Sequence, residues 1–280
     1  MSVSEAARPV PNGPPPTPRG GPGGRTLRTD RWWLQPLATV TALLGFIVYS
    51  TWAAFQKTNY WDSAPFLTGP GARPYLSPLA SPCLASSCPD EVRWASLNVF
   101  HWNWITPSLY ILVFPLAFRM TCYYYRKTYY RAFWLSPPGC AVAEPHKKYT
   151  GETRFPLILQ NLHRYAFYAA VVVNVILFYD AALAFKFQDG FGMGVGTVVL
   201  LVNAILLALY SLSCHSCRHI MGGKLNHFSK HPVRYKGWQL VSKLNGRHAM
   251  YAWISLFGVW GTDIYVRLVA SGTITDLRFF

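Results

Sequence analysis

The sequence is poor in charge, and above all in acidic residues. Only 13% of its 280 residues are charged, and 11 Asp or Glu stand against 26 Lys or Arg. A soluble domain carries roughly 25% charged residues, so this deficit argues against an ordinary water-soluble fold. The chain also lacks a Gly-rich dinucleotide fingerprint and an H-E-x-x-H sequence. Neither a dinucleotide-dependent nor a zinc-protease active site is therefore indicated.

The first apolar run begins near Trp32, after an N-terminal tail rich in Pro and Gly. No small-residue cleavage site accompanies this long run, so we interpret it as a retained membrane anchor. Residues 1–29 cannot bury a core and are predicted to form a disordered cytoplasmic tail. Residues 30–280 are predicted to form one transmembrane domain.

Five apolar runs in that domain are long enough to cross the hydrocarbon core of a bilayer, which takes about 20 residues in a helix. The sequence therefore predicts an all-α membrane protein, a bundle of five transmembrane helices. Pro107 and Pro115 fall in the second run and predict a kink there. The runs cover residues 33–55, 100–124, 165–185, 192–213 and 249–269.

The basic residues predict the orientation of the domain. A net charge of +15 would suggest a nucleic-acid partner for a soluble protein. Here, however, 20 of the 26 Lys and Arg residues lie in the tail, the 119–164 loop and the 214–247 loop. Such residues accumulate on the cytoplasmic side of membrane proteins. We therefore expect the N-terminus inside, the C-terminus outside, lipid around the helices, and no nucleic-acid partner.

This orientation separates the chemically active side chains into two groups. Cys83 and Cys88 fall on the outer side, where a disulfide can persist. The other four cysteines and seven of the eight histidines fall on the inner side, whereas His101 lies near the outer face. The inner residues are Cys122, Cys140, Cys214, Cys217, His146, His163, His215, His219, His227, His231 and His248.

The segment S-L-S-C-H-S-C-R-H, residues 211–219, combines thiols and imidazoles at the end of the fourth run. Soft metals, haem iron and iron–sulfur clusters prefer these ligands. Zinc, a haem, or a [2Fe–2S] cluster held by two Cys and two His would each use them, and buried thiols with interfacial histidines are the structural alternative. The expected ligands are Cys140, Cys214, His215, Cys217 and His219, with Cys122 and His163 in reserve.

Two further histidines begin helices at the inner face. His163 precedes Arg164 at the start of the third run, and His248 follows Arg247 at the start of the fifth. A His/Arg pair at that depth could hydrogen-bond a quinone carbonyl and deliver a proton. We expect His163, Arg247 and His248 to contribute to such a site. The alternative is that these side chains only reach from the bilayer to the interface.

With these features the chain resembles the membrane anchor of an actinobacterial-type succinate dehydrogenase/fumarate reductase. The resemblance rests on the five runs, the basic inner loops, N-L-H-R-Y at residues 161–165, and C-H-S-C-R-H at 214–219. It implies a subunit of the bacterial plasma membrane that docks a flavoprotein and an iron–sulfur subunit at the cytoplasmic face, with a second small membrane subunit as an option. Electrons from succinate would pass to a quinone, with menaquinone expected.

One departure from the five-helix anchors bears on the cofactor. Those anchors carry two b haems, each with two axial histidines, but here only His101 lies on the outer side. An inner haem stays open, with His163, His215, His219 or His248 as candidate ligands. A Rieske-type [2Fe–2S] cluster would use both ligand types, and its histidines would raise its potential. The usual C-x-H…C-x-x-H spacing is absent, so its ligands would be assembled differently.

Two other classes of function remain at this stage. Asp180 and Asp263 lie within predicted spans and would line the path of a small membrane transporter. Five spans, however, do not divide into inverted repeats, and Asp263 can pair with Arg267 one helical turn away. A metal-sensing membrane protein is the third class. Optical and paramagnetic resonance spectra would separate these possibilities from an electron-transfer subunit.

Cysteine labelling tests the predicted orientation. A membrane-impermeant thiol reagent added to intact cells should reach Cys83 or Cys88, after reduction if the two are paired. It should not reach Cys140 until the membrane is opened, because the 119–164 loop is expected inside. A Cys140→Ser variant identifies the labelled site. Modification of Cys140 from outside would mean that the 119–164 loop lies outside, opposite to the predicted topology.

Overall fold

Helices carry nearly all of the fold in this computed structural model. It describes residues 19–21, 24–62, 75–84, 88, 106–145, 151–187 and 190–280. The chain divides into two compact units, one of residues 1–40 with 128–149 and one of residues 41–127 with 150–280. His101, His146 and the start of the second apolar run lie outside the described residues.

The first unit holds a short antiparallel hairpin against a loop. Strands β1 (Arg19–Gly21) and β2 (Gly24–Thr26) pair with each other. The Thr26 hydroxyl donates to the carbonyl of Ala141 at 2.9 Å. The segment predicted to be disordered, residues 1–29, falls mostly outside the described residues, but its final part forms this hairpin. A π-helix, Tyr130–Trp134, completes the unit.

The second unit is a helical bundle. Its helices are α1 (Leu34–Phe55, which begins in the first unit), α2 (Pro107–Ile111), α3 (Val113–Thr121), α4 (Tyr123–Tyr129), α5 (His163–Leu183), α6 (Val195–Leu212), α7 (His215–Gly222), α8 (Pro232–Asn245) and α9 (His248–Ala270). Helix α6 packs against α5 and α9, α3 packs against α5, and α7 packs against α8. Short 3₁₀ turns at Gly151–Thr153 and Leu157–Leu162 precede α5, and the two-residue strands β3 (Lys186–Phe187) and β4 (Gly190–Phe191) follow it.

Three helices in the described residues are long and apolar enough to cross a membrane: Leu34–Phe55, Leu157–Leu183 and Val195–Leu212. The apolar stretch Pro107–Thr121 is shorter, and α9 carries Asp263 and Arg267. In hydrocarbon the backbone must satisfy its own hydrogen bonds, and helices achieve this. The chain is thus a helical membrane protein, while five crossings and their orientation remain a prediction.

The second predicted span is interrupted where its prolines stand. Helix α2 ends at Ile111, and α3 begins at Val113 after Leu112. Pro115 has no N–H to donate, and its ring crowds the carbonyl four residues earlier, which is that of Ile111. The backbone turns again at Cys122, which is extended between α3 and α4. Leu112 keeps helical dihedral angles (φ −62°, ψ −19°), so at Pro115 the helix is interrupted for one residue only.

One end of the bundle is closed by residues 75–84, which we call the clamp segment. Three of its hydroxyls donate to carboxylates from three other elements. Tyr75 donates to Asp276 at 2.7 Å, Ser77 donates to Asp263, and Ser81 donates to Asp180. The segment also carries the disulfide Cys83–Cys88, whose Cα atoms are 5.8 Å apart. The pairing that the sequence allowed for these two cysteines is thus present.

The clamp segment approaches α6 closely enough to require a glycine. A Cβ atom on Gly196 would lie 2.2 Å from the ring of Tyr75, closer than any real contact. The backbone N–H of Gly196 donates to Asp276 at 2.9 Å, and the Thr197 hydroxyl lies 3.2 Å from that of Tyr75. A glycine at the first turn of α6 thus allows a buried tyrosine to reach its carboxylate.

Asp263 is fully buried and accepts hydrogen bonds from three side chains. Arg267 Nε donates to it at 2.8 Å, and Tyr49 donates at 2.5 Å, in addition to Ser77. Arg267 also donates to the carbonyl of Ala53 at 3.1 Å, which ties α9 to the end of α1. The expected Asp263–Arg267 pair is therefore confirmed. These contacts favour a structural role for Asp263 over one in a transport path.

Removing the Asp263 charge should destabilise the bundle strongly. An Asp263→Asn variant leaves Arg267 buried without its counter-charge, a change that typically costs about 3–5 kcal/mol. Thermal unfolding of the detergent-solubilised protein should show a clear fall in midpoint temperature. Asp30→Asn, which breaks an exposed pair with Arg28, serves as the control and should change little. Equal midpoints for the two variants would contradict the role given to Asp263.

Candidate functional site

Four helix ends meet at the end of the bundle away from the clamp segment. Helices α3 and α6 end there with the dipeptides Thr121-Cys122 and Ser213-Cys214, whereas α5 and α9 begin there with His163 and His248. Two of the apolar runs end in a hydroxyl residue followed by a cysteine, and two begin with a histidine. The antiparallel course of the helices brings all four together.

Each histidine lies between a hydroxyl from one dipeptide and a thiol from the other. His163 Nδ1 lies 2.8 Å from Thr121 Oγ1, and its Nε2 lies 3.0 Å from Cys214 Sγ. His248 Nδ1 lies 2.7 Å from Ser213 Oγ, and its Nε2 lies 3.3 Å from Cys122 Sγ. Consecutive residues of one dipeptide therefore touch different histidines. We call Cys122, His163, Cys214 and His248 the crossed set.

The hydroxyl hydrogen bonds favour one tautomer for both histidines. Thr121 donates its one hydroxyl proton to the carbonyl of Ala117 at 2.7 Å, and Ser213 donates its own to the backbone carbonyl of Tyr210 at 3.0 Å. Each hydroxyl oxygen can then only accept from an imidazole, so Nδ1 carries the hydrogen in both rings. Both Nε2 atoms consequently present a lone pair to a thiol. This is the arrangement of a metal-binding histidine, whose other nitrogen is held by an outer partner.

Aromatic rings pack against both histidines of the crossed set, and three of its four members are buried. The ring of Phe118 stacks on His163 with centroids 5.0 Å apart, and Tyr210 stacks on His248 at 5.2 Å. Cys122, Cys214 and His248 are each 1% exposed. Burial raises the pKa of the Cys214 thiol to about 12, so it keeps its proton at neutral pH. That proton can be shared with the Nε2 lone pair of His163.

The five ligands expected from the sequence are not brought together. Cys140 is exposed in the first unit, where Arg28 donates to its carbonyl at 3.0 Å. Cys214 precedes α7 as its N-cap, with an extended backbone. It therefore does not share a helical face with Cys217, as the C-x-x-C spacing had suggested. His215 stacks on Tyr124, and His219 contacts Arg164.

No three His, Cys, Asp or Glu side chains in the described part of the chain are grouped closely enough to hold a metal ion. The Cys/His contacts come as pairs instead, Cys214 with His163 and Cys122 with His248. A Rieske-type cluster within residues 211–219 is therefore not supported. Cys122 was only a reserve ligand in the sequence, and His248 was assigned to quinone. The signal that could have found them is the hydroxyl–Cys dipeptide at the end of two apolar runs.

The residues expected at a quinone site lie at this same end but differ in exposure. His248 is buried and occupied at both ring nitrogens. Arg247, one residue earlier, is exposed and forms the N-cap of α9. His163 is intermediate in exposure. Of the three, only Arg247 presents its side chain to the surface as the protein stands.

Arg119, in the last turn of α3, is a charged residue for which the sequence analysis predicted no role. Its guanidinium donates to Tyr125 at 2.6 Å, to the carbonyl of Ala252 at 3.2 Å and to Ser255 at 3.1 Å. It also lies 4.8 Å from the ring centre of Tyr210. These contacts join α3 to α9 just below the crossed set.

Comparison with known proteins gives one family and one closely similar structure. Residues 34–272 match the family described as actinobacterial succinate dehydrogenase subunit SdhC. A chain of the solved structure titled Mycobacterium smegmatis Sdh1 complex in the apo form is 55% identical, with a TM-score of 0.83. The match covers 91% of this chain and 94% of that chain. A search of curated proteins gives no significant match.

Thiol reactivity tests how the cysteines of this end are packed. Cys217 is 7% exposed, and burial raises the pKa of its thiol, so little thiolate forms at pH 8. Iodoacetamide should therefore modify the exposed Cys140 at least about tenfold faster than Cys217. Peptide mass spectrometry after timed quenching gives both rates, and Cys140→Ser is the control. Equal rates would mean that α7 does not pack against the bundle as described.

Proposed function

The chain belongs to the actinobacterial succinate dehydrogenase subunit SdhC family, and on that basis we propose how this anchor subunit works. It holds a flavoprotein subunit and an iron–sulfur subunit at the cytoplasmic face of the bacterial plasma membrane. It passes electrons that they take from succinate to a quinone, with menaquinone expected. The basic loops at the end of the bundle that carries the crossed set support docking at that face.

The observation that carries the electron-transfer role is the crossed set. Two buried thiols, one buried imidazole and one partly buried imidazole lie together at the ends of four helices. Buried polar groups in a membrane bundle are costly and mark functional positions. A purely structural contact would not require side chains of this ligand chemistry at all four places. Their position at the docking end lies between soluble electron donors and a quinone in the membrane.

The four side chains match a [2Fe–2S] cluster in type and number only, since such clusters exist with two Cys on one iron and two His on the other, and in the described residues no three of them are grouped closely enough to hold a metal ion. Cys122, Cys214, His163 and His248 would hold it, in place of the ligands first expected. When bound, the cluster would supply a one-electron carrier of raised potential. The hydroxyls of Thr121 and Ser213 orient the two imidazoles by accepting from Nδ1.

A haem between His163 and His248 is the alternative cofactor, because two imidazoles from facing helices are a common axial pair. That reading leaves Cys122 and Cys214 without a role. The presence of both thiols beside the histidines favours the cluster, because a haem would use only the imidazoles. Arg247, exposed beside His248, is placed to hydrogen-bond a quinone carbonyl at the membrane face.

Four variants of the purified complex test this proposal. His163→Ala and Cys122→Ser should lower quinone reduction by more than about 100-fold, the scale expected for loss of a ligand. Succinate oxidation with a soluble artificial acceptor should persist, because that chemistry lies in the partner subunits. The rhombic paramagnetic signal of the dithionite-reduced anchor, with average g below about 2, should disappear. His215→Ala and Cys217→Ser, close by but outside the crossed set, are the matched controls.

Each contrary outcome has its own meaning. If the paramagnetic signal is lost in Cys217→Ser but kept in Cys122→Ser, the cluster ligands lie within residues 211–219 instead. A reduced haem α-band that is lost in His163→Ala, with no rhombic signal, would assign the site to haem. Loss of succinate oxidation along with quinone reduction would show that the complex had failed to assemble.

A further inference from the structure

A cavity lies inside the bundle, next to the crossed set. It has a volume of about 120 Å³ and lies between α1, α3, α5, α6 and α9. Its wall is almost entirely apolar and includes Leu116, Val173, Leu177 and Val259. Apolar cavities of about this size stay dry and accept apolar ligands. A void of this kind in a packed bundle also costs dispersion contacts unless something fills it.

The cavity lies beside the interruption in the second predicted span. Pro115 interrupts the helix, α3 restarts at Val113, and both Leu112 and Pro115 belong to the cavity wall. Leu116 is another wall residue and is 52% exposed. The wall therefore reaches the surface of the bundle that faces lipid. Along α5 it runs from Ala170 to Leu177, a length of about 10 Å at the helical rise, which suits a chain better than a ring.

A cation lies at one end of this apolar space. Arg119 lines the cavity, and in the described residues it has no carboxylate partner. Its contacts to Tyr125, Ala252 and Ser255 use three of the five N–H donors that a guanidinium carries. These contacts leave two N–H donors, for which the described residues show no further acceptor. Ionisable groups inside a membrane bundle are functional candidates by default.

The same end of the cavity adjoins the crossed set. Phe118 and Tyr210 line the cavity and stack on His163 and His248 respectively. A molecule beside Arg119 would thus be one aromatic ring away from both histidines. The opposite end is closed by Pro78 and Leu79 of the clamp segment.

We propose that this cavity binds the hydrocarbon chain of an amphiphile whose polar head places an oxygen atom on Arg119. The apolar wall and its length select a chain, the exposed Leu116 gives entry from the bilayer, and the guanidinium selects a carbonyl or phosphate oxygen. An isoprenoid quinone and a phospholipid share this chemistry. The proposal that the bound molecule is a quinone rests on the proposed function. The proposal that the cavity holds a hydrocarbon chain does not.

Two neighbouring valines on α5 give a matched test. Val173 lines the cavity, whereas Val172 is 60% exposed toward lipid. Complexes carrying Val173→Phe or Val172→Phe are purified in detergent, and their bound quinone and phospholipid are extracted and counted by mass spectrometry. Filling the cavity should lower the retained chain-bearing molecule about tenfold in V173F, the effect of losing roughly two buried methylenes. V172F should retain as much as the wild type.

Kinetics with two quinones separate the sources. If the chain belongs to the quinone, V173F should raise KM about tenfold for an isoprenylated menaquinone and leave KM for menadione, which has no tail, unchanged. If it belongs to a phospholipid, bound phospholipid should fall while the two KM values keep their ratio. Either result supports the site.

Equal retention in V173F and V172F, with equal KM ratios, would overturn the site. Should V173F fail to assemble, Ala170→Leu fills the cavity one turn earlier and is judged by the same two measurements. A complex that reduces no quinone would refute the proposed function, yet retention in the valine variants would still decide whether the cavity holds a chain.

Discussion

Two imidazoles held at both of their ring nitrogens tie four helix ends together, and the rest of that end of the bundle is arranged around them. Inside a membrane bundle there is no water to satisfy a stray N–H or lone pair, so each must find a partner in the protein. His163 and His248 find theirs in consecutive residues of two helix ends. Moving any one of the four helices by a turn would leave a buried imidazole unsatisfied.

The two ends of the bundle meet the same constraint with different chemistry. At one end the paired groups are neutral, thiol against imidazole and imidazole against hydroxyl. At the other, Asp263 and Arg267 form a buried ion pair, and hydroxyls of the clamp segment cover the carboxylates. The thiols and imidazoles at the first end are uncharged and can still take up charge. The carboxylates at the opposite end already have their partners, an arginine or hydroxyl groups. Between the two ends the bundle is apolar and contains the cavity of about 120 Å³.

Sequence patterns predicted the parts of this structure that depend on local order. Apolar runs placed α1, α5 and α6 to within a few residues, because hydrocarbon length is a signal along the chain. The Asp263–Arg267 pair could be read from its four-residue spacing. The contact between Cys122 and His248 spans 126 positions and has no such signature. The C-x-x-C spacing misled because α7 begins only after Cys214, which faces α5 instead.

The clamp segment has a consequence for the order in which this protein can be completed during synthesis. Its hydroxyls leave the ribosome early, yet their carboxylate partners follow 99, 186 and 201 positions later, at Asp180, Asp263 and Asp276. Asp276 is made only after α9 has been translated. Until then the Tyr75 phenol has no carboxylate to meet beside Gly196, and the end of the bundle cannot close. Insertion of the earlier helices must therefore proceed with that end open, and the last helix to emerge is the one that seals it.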